Sequence, residues 1–396
     1  MTFPSTLSPS VRYGLHFVGV WPGTPLPGLR KMCWVIAMGL LQTYQYKYII
    51  QHYYTDSLLE MIDNLSITMP FSLVCIKLIV AWTNQDLLRD ILSTMDEDCQ
   101  KYAAIDTNNL ISKTARISLY FTTIVMSAYV FSAILYLTGT LTMNVGDNST
   151  RRLLFQMDLP FETNESPAYE LVVSAQILHL VTSGFTFGLF NAVLLMVILH
   201  LDCHIDVMCK VILDDPLKNK EQINFFISRH KEIILFADRI EKLFTYITLS
   251  QLTSNTLITC CLGYLIVMSV HTENGLFLLI RSVFFYVVIC LEIFIYCFSG
   301  EHLNTKSKLI GDTIYETDWY DLHPSERRLL VLLILRSQKG FMFTCGKFTT
   351  LSLESFTSVS YLHCHLIILI IYIYNSFSRV STKHIAEIFK EFLFMY

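Results

Sequence analysis

A chain of 396 residues that is 53% hydrophobic, 13% aromatic and only 16% charged, with a mean hydropathy of +0.47, is too apolar for a soluble domain of that length. Its net charge of -4 and the lack of any dense Lys/Arg run argue against a nucleic-acid partner. The eleven cysteines are scattered without a CxxC pair, which argues against a zinc ribbon or a disulfide scaffold.

Residues 1–31 carry Pro4, Pro22, Pro25 and Pro27 and no short apolar run ending at a small-residue cleavage site, so no cleavable signal is expected. Crossing a hydrocarbon core takes about 20 mostly apolar residues. Seven such runs are predicted: Met32 to Ile50, Leu65 to Thr83, Ile117 to Leu141, Leu171 to Leu201, Phe244 to Val270, Leu276 to Phe298, and a broken last one beginning near Leu329. The fourth and fifth exceed what a bilayer needs, so their ends are expected to project into water, carrying Asp202, Asp206 and Lys210, and Arg229, Lys231, Arg239, Glu241 and Lys242.

Lys and Arg are retained on the cytoplasmic side, and here they concentrate in alternate connections. Before the first span lie Arg12, Arg30 and Lys31; Arg89, Lys101, Lys113 and Arg116 follow the second, Lys218 and Lys220 with the charges above follow the fourth, and Lys306, Lys308, Arg327 and Arg328 follow the sixth. The opposite connections, 51–64, 142–170 and 271–275, hold only Arg151 and Arg152. The expected fold is an all-α integral membrane protein with seven transmembrane helices, a cytoplasmic N-terminus, an extracellular C-terminus and a last helix in two halves. Glycosylation sequons at Asn148 and Asn164 fall on the side assigned as external. A G-protein-coupled receptor would run the other way, and no internal repeat points to a transporter.

Lys77, Glu292 and Arg336 are charges within the apolar runs. The expectation is that Lys77 snorkels, that Glu292 sits in the cytoplasmic half of its span and that Arg336 belongs to a cytosolic extension. His200, Cys203 and His204 have ligand-like spacing without an identifiable carboxylate, as do the adjacent His363, Cys364 and His365, so no metal is expected. No nucleotide loop or hydrolytic triad is present, and neither an enzyme nor a cofactor is expected. Apolar and aromatic residues of spans two to six would suit a small lipophilic ligand with few polar anchors. The candidates by depth and side are Met69, Phe71, Tyr129, Ala133, Tyr136, Gln176, Leu180, Ser183, Phe277 and Phe284.

From span six onward the chain reads Ser299-Gly300-Glu301-His302-Leu303, Thr305-Lys306-Ser307, Ile310-Gly311-Asp312, Tyr315 to Leu322 (YETDWYDL), Arg336-Ser337, Gly346-Lys347-Phe348 and Thr350-Leu351-Ser352-Leu353. With Leu159-Pro160-Phe161, Ser166 to Glu170, Arg239-Ile240-Glu241 and Gly19 to Pro22, this resembles the insect odorant receptor family through Val359. The resemblance implies a divergent odorant-tuning subunit, distinct from the common co-receptor, that joins it in a four-subunit, ligand-gated, nonselective cation channel of the sensory-neuron plasma membrane. It implies an odorant site in the outer halves of spans two to six, an anchor interface including Trp319, Tyr320, Asp321 and Leu322, and a pore lined by the second half of span seven. Membrane lipid and a small volatile ligand are the other expected partners. A gustatory-type channel, a G-protein-coupled receptor and a nonconducting isoform are the alternatives.

After Val359 the chain departs from the family's ending. Val-Ser can be encoded with the form of a splice donor, and the Ile, Leu, Tyr, Asn, Phe and Lys that follow are what AT-rich noncoding sequence yields. A translated intron is therefore the reading of 360–396, and no gate residue is carried over. The expected segments are a cytoplasmic 1–31, spans one to four in 32–200, the anchor region with spans five to seven in 201–359, and the atypical 360–396.

Overall fold

The computed structural model describes residues 6–21, 26–102, 109–145, 153–163, 165–214, 220–271 and 275–377. Its helices are α1 (Pro9–Val18), α2 (Pro27–Gln51), α3 (Leu58–Thr83), α4 (Gln85–Tyr102), α5 (Leu110–Val145), α6 (Ala168–Asp214), α7 (Lys220–His271), α8 (Leu276–Tyr315), α9 (Pro324–Gln338) and α10 (Leu353–Phe377). A two-stranded antiparallel hairpin, β1 (Thr344–Cys345) and β2 (Thr349–Thr350), separates the last two helices.

Among the described residues, α3, α5, α6, α7, α8 and α10 are long and apolar enough to cross a membrane. The 25-residue α2 has the length, but Gln42, Gln45 and Lys47 dilute its apolar character. At about 1.5 Å per residue, α6, α7 and α8, with 47, 52 and 40 residues, run roughly 60 to 80 Å, about twice a hydrocarbon core. One buried cluster joins their far ends, through Ile205, Ile212, Ile223, Ile240, Leu303 and Ile310.

The expected start of the last span near Leu329 needs correction. Residues from Pro324 to Gln338 form the separate, 15-residue α9, too short to cross, which packs along α8. Arg336 is exposed in its last turn, and the apolar crossing stretch starts only at Leu353. The intervening hairpin turns through residues 346–348, with Gly346 (φ 58°) and Lys347 (φ 64°) both left-handed, and the Phe348 N–H closes it on the Cys345 carbonyl at 3.0 Å. It is tied to α7 by the Gly346 N–H on the Thr245 carbonyl (3.0 Å) and by the Thr344 hydroxyl on Glu241 (2.7 Å). A side chain at 346 would also run into Leu249, so glycine is required there twice over.

Two further features bear on the site. The chain entering α1 is threaded into the bundle, where the Ser8 Oγ lies 2.9 Å from Thr122 of α5 and Thr6 2.7 Å from the His200 ring of α6. Ser57 caps the start of α3: its hydroxyl accepts from the Glu60 N–H at 3.3 Å and donates to the Glu60 carboxylate at 3.0 Å.

Candidate functional site

A cavity of about 90 Å³ lies between α3, α5, α6, α7 and α8. Its wall is mainly apolar, with Phe71, Val74, Leu180, Phe187, Phe284 and Ile289 prominent. Small side chains open it: Ser183 and Gly184 of α6 face Ala133 of α5, and an added Cβ at Gly184 would stand 3.4 Å from that of Ala133. Residues of the connection before α6 form a lid. Leu154, Phe155 and Met157 are buried, and the Phe155 ring packs edge-on against Phe71 (5.4 Å) and beside Tyr136 (5.7 Å). Gln176 fastens that lid, accepting from the Leu154 N–H at 3.0 Å and donating to the Phe155 carbonyl at 2.8 Å.

Two ion pairs sit at the cavity's edge. Glu292 faces it, while its partner Lys77 stands behind, fully buried, with Nζ 3.6 Å from the carboxylate and 3.8 Å from the centre of the Phe187 ring. Three amides complete the carboxylate's shell: Asn191 (2.8 Å), Gln251 (2.5 Å) and Asn255 (3.2 Å). The Asn191 amide also reaches the Tyr129 oxygen at 2.6 Å, and the Tyr296 hydroxyl donates to the Asn191 carbonyl at 2.8 Å. A charge pair taken out of water needs such a shell to offset its desolvation. Arg281 likewise faces the cavity, donates to Asp63 and lies 4.7 Å over the Tyr136 ring. Both charges belong to α8, eleven residues and so about three turns apart on one face.

The expectation for Lys77 is thereby corrected: it does not snorkel but is fully buried beside Glu292, which is the centre of a buried network. Of the predicted ligand residues, Phe71, Tyr129, Ala133, Tyr136, Leu180, Ser183 and Phe284 meet at the cavity. Met69 packs in the neighbouring cluster with Ile62 and Ile258, Gln176 serves the lid, and Phe277 is half exposed at the start of α8. Sequence reading missed Arg281 and Asn255; the three-turn spacing of Arg281 and Glu292 was the available signal.

Elsewhere, Asp98 of α4 supplies the carboxylate that sequence reading lacked near His200 and His204, the three ligand atoms lying within 4.8 Å of one another. Arg229 occupies the same spot, hydrogen-bonded to His204 and 3.4 Å from Asp98. Burial pushes the Asp98 carboxyl up, but His200 and Arg229 together outweigh it and hold it below its ordinary range. Cys203 turns to another cluster with Cys99 and Ile111. His363 is buried while Cys364 and His365 are exposed, so those three share no site. At the anchor segment, Trp319 and Leu322 are half-buried against the core and Tyr320 and Asp321 exposed. Asn148 and Asn164 lie outside the described residues.

The chain is similar to Odorant receptor 13a of Drosophila melanogaster, 27% identical over 150 residues, 35% of each protein. It is also similar to Odorant receptor 82a of Drosophila melanogaster, 23% identical over 219 residues, 54% of this chain and 56% of that one. The Odorant receptor coreceptor of Harpegnathos saltator is 23% identical over 141 residues, 35% of this chain and 29% of that one. The matched stretch spans about a third of the length of the first of these relatives. The fold is that of the insect olfactory receptor OR5 from Machilis hrabei in its structure with eugenol, with a TM-score of 0.77 over 92% of this chain and 97% of that one at 13% identity. A second structure of that receptor gives 0.76 over 91% and 96% at 15% identity. The family model described as 7tm Odorant receptor matches residues 57–362, well over half of the sequence, and the chain belongs to that family.

Proposed function

We propose that this multi-pass plasma-membrane protein is the odorant-binding, tuning subunit of a heteromeric, ligand-gated, nonselective cation channel that it forms with an odorant co-receptor. The observation that carries the reading is the lidded, mainly apolar cavity among five helices, where a small volatile would be buried by shape with few polar contacts. Similarity to odorant receptors and to an odorant receptor coreceptor supports it. The basic connections favour a cytoplasmic N-terminus, seven spans with α2 as the first, and an external lid. In this reading the exposed Tyr320 and Asp321 face another subunit, α10 lines the pore, and Asn148 and Asn164 carry glycan. Odorant would act by binding the open state better than the closed one, shifting the population by that difference alone.

The test is co-expression with a co-receptor, recording currents across an odorant panel. Ala133→Trp, which fills the cavity, is expected to abolish responses while surface expression persists; unchanged responses contradict the reading. The proposed segments are 1–31, 32–200, 201–359 and 360–396, the last from a translated intron. Full-length transcripts that run through the Val359 codon without splicing would remove that origin.

A further inference from the structure

Ser183 differs from the other hydroxyls of α6. Ser174, Thr182 and Thr186 each return their O–H to the carbonyl one turn back at 2.7 Å. The Ser183 Oγ has no hydrogen-bond partner among the described residues, although the residue is only 2% exposed. The carbonyl it would use, that of His179, takes the Thr182 hydroxyl at 3.2 Å instead. Ser183 lines the cavity.

The acceptor sites of Glu292 are taken, and among the other polar side chains of the wall Arg281 is paired with Asp63. Glu292 accepts from three amides and pairs with Lys77; Asn255 gives its amide to Glu292 and accepts from Gln251 at 2.8 Å; the Tyr129 oxygen receives Asn191. An ammonium arriving at Glu292 would have to break one of these bonds. An acceptor oxygen arriving at Ser183 breaks none and satisfies a buried donor, and a site built that way discriminates against ligands lacking the oxygen. Size limits the choice further: a cavity near 90 Å³ is smaller than the roughly 150 Å³ that holds the six carbons of benzene, so a ligand of even six non-hydrogen atoms has to press the wall outward, and larger ones are disfavoured further.

Resting on the reading that this cavity is the odorant site, we propose that it selects small neutral oxygenates, carbonyl compounds of about five carbons, whose oxygen accepts from the Ser183 hydroxyl while the hydrocarbon part fills the wall formed by Phe71, Phe187 and Phe285. The selectivity is against amines and against hydrocarbons of equal shape.

Three probes of one shape test it: 2-pentanone, 2-methyl-1-pentene, in which a methylene replaces the carbonyl oxygen, and 2-aminopentane. Each is applied to the full chain with its co-receptor, reading current and the melting temperature of the purified complex. The ketone is expected to act at a concentration about tenfold below the alkene, with the amine weakest. Ser183→Ala is expected to raise the ketone's half-maximal concentration about five- to tenfold and to move the alkene's less than twofold. Equal potency of ketone and alkene, a preferred amine, an equal effect of Ser183→Ala on both, or no response in either readout overturns the proposal. Ala133→Trp separates this failure from that of the underlying reading. Loss of whichever odorant responses the wild type gives keeps the cavity as the site and removes only the oxygenate selectivity; their survival removes the site itself.

Discussion

The two halves of α6 have similar apolar composition but different surroundings. From Ala168 to Phe187 the helix is a wall with outward residues such as Leu171 (68% exposed) and Leu178 (66%) and an inward face of small residues that leaves a void. From Gly188 to Ile212 it is the axis of a solid core, with Leu189, Met196, Leu201 and Ile205 all at 1% exposure or less. Close packing transmits strain and resists change, whereas a void at the level of Ser183 and Gly184 leaves room for a ligand to be felt. On the proposed function, the difference separates the half that would recognise a ligand from the half that holds the bundle together.

The boundary between the halves is the Lys77–Glu292 network, and breaking it has the largest expected effect. Glu292→Leu strands a buried ammonium and is expected to cost about 3–5 kcal/mol, seen as lost surface expression and a lower melting temperature in detergent. Adding Lys77→Met should recover most of that; equal damage in the single and double variants would show that the pair does not act as a unit. Next in size is a contrast between two leucines on α6. Leu189→Ala, in the solid half, should cost toward the upper end of about 2–5 kcal/mol, and Leu180→Ala, which borders an existing void, toward the lower end. The glycines sharpen the same contrast more finely. Alanine at Gly188 would press at 3.1 Å on Met126 and the Tyr129 ring, an overpacking of about 1–3 kcal/mol, whereas at Gly184 the nearest atoms are at 3.3 and 3.4 Å and the cost should stay below about 1 kcal/mol. The smallest effect is expected at the far end. Tyr320→Ala, at an exposed position, should change the chain's own stability by no more than about 0.5 kcal/mol while reducing co-purification with the co-receptor.

Much of the helical plan is legible because an apolar run of about 20 residues is a local property. What escapes a reading along the chain is pairing at long range. Lys77 and Glu292 are 215 positions apart, Asp63 and Arg281 218, and a charge read alone carries no sign of its partner. Gln176 looks like a ligand anchor until the lid that consumes its amide is placed. The expected start of the last span fails on length: the apolar run Leu329 to Leu335 is bounded by Arg327, Arg328 and Arg336 and forms the short α9, packed on α8, rather than a crossing. Asp98 approaches His200 and His204 from another helix, invisible to spacing.

Cryo-electron microscopy of the chain with its co-receptor, in saturating 2-pentanone and without it, tests the central claim most directly. Ligand density between Phe71, Ser183 and Phe285, lost on removing the ketone, is the predicted result; an unchanged, empty cavity with density elsewhere would contradict it.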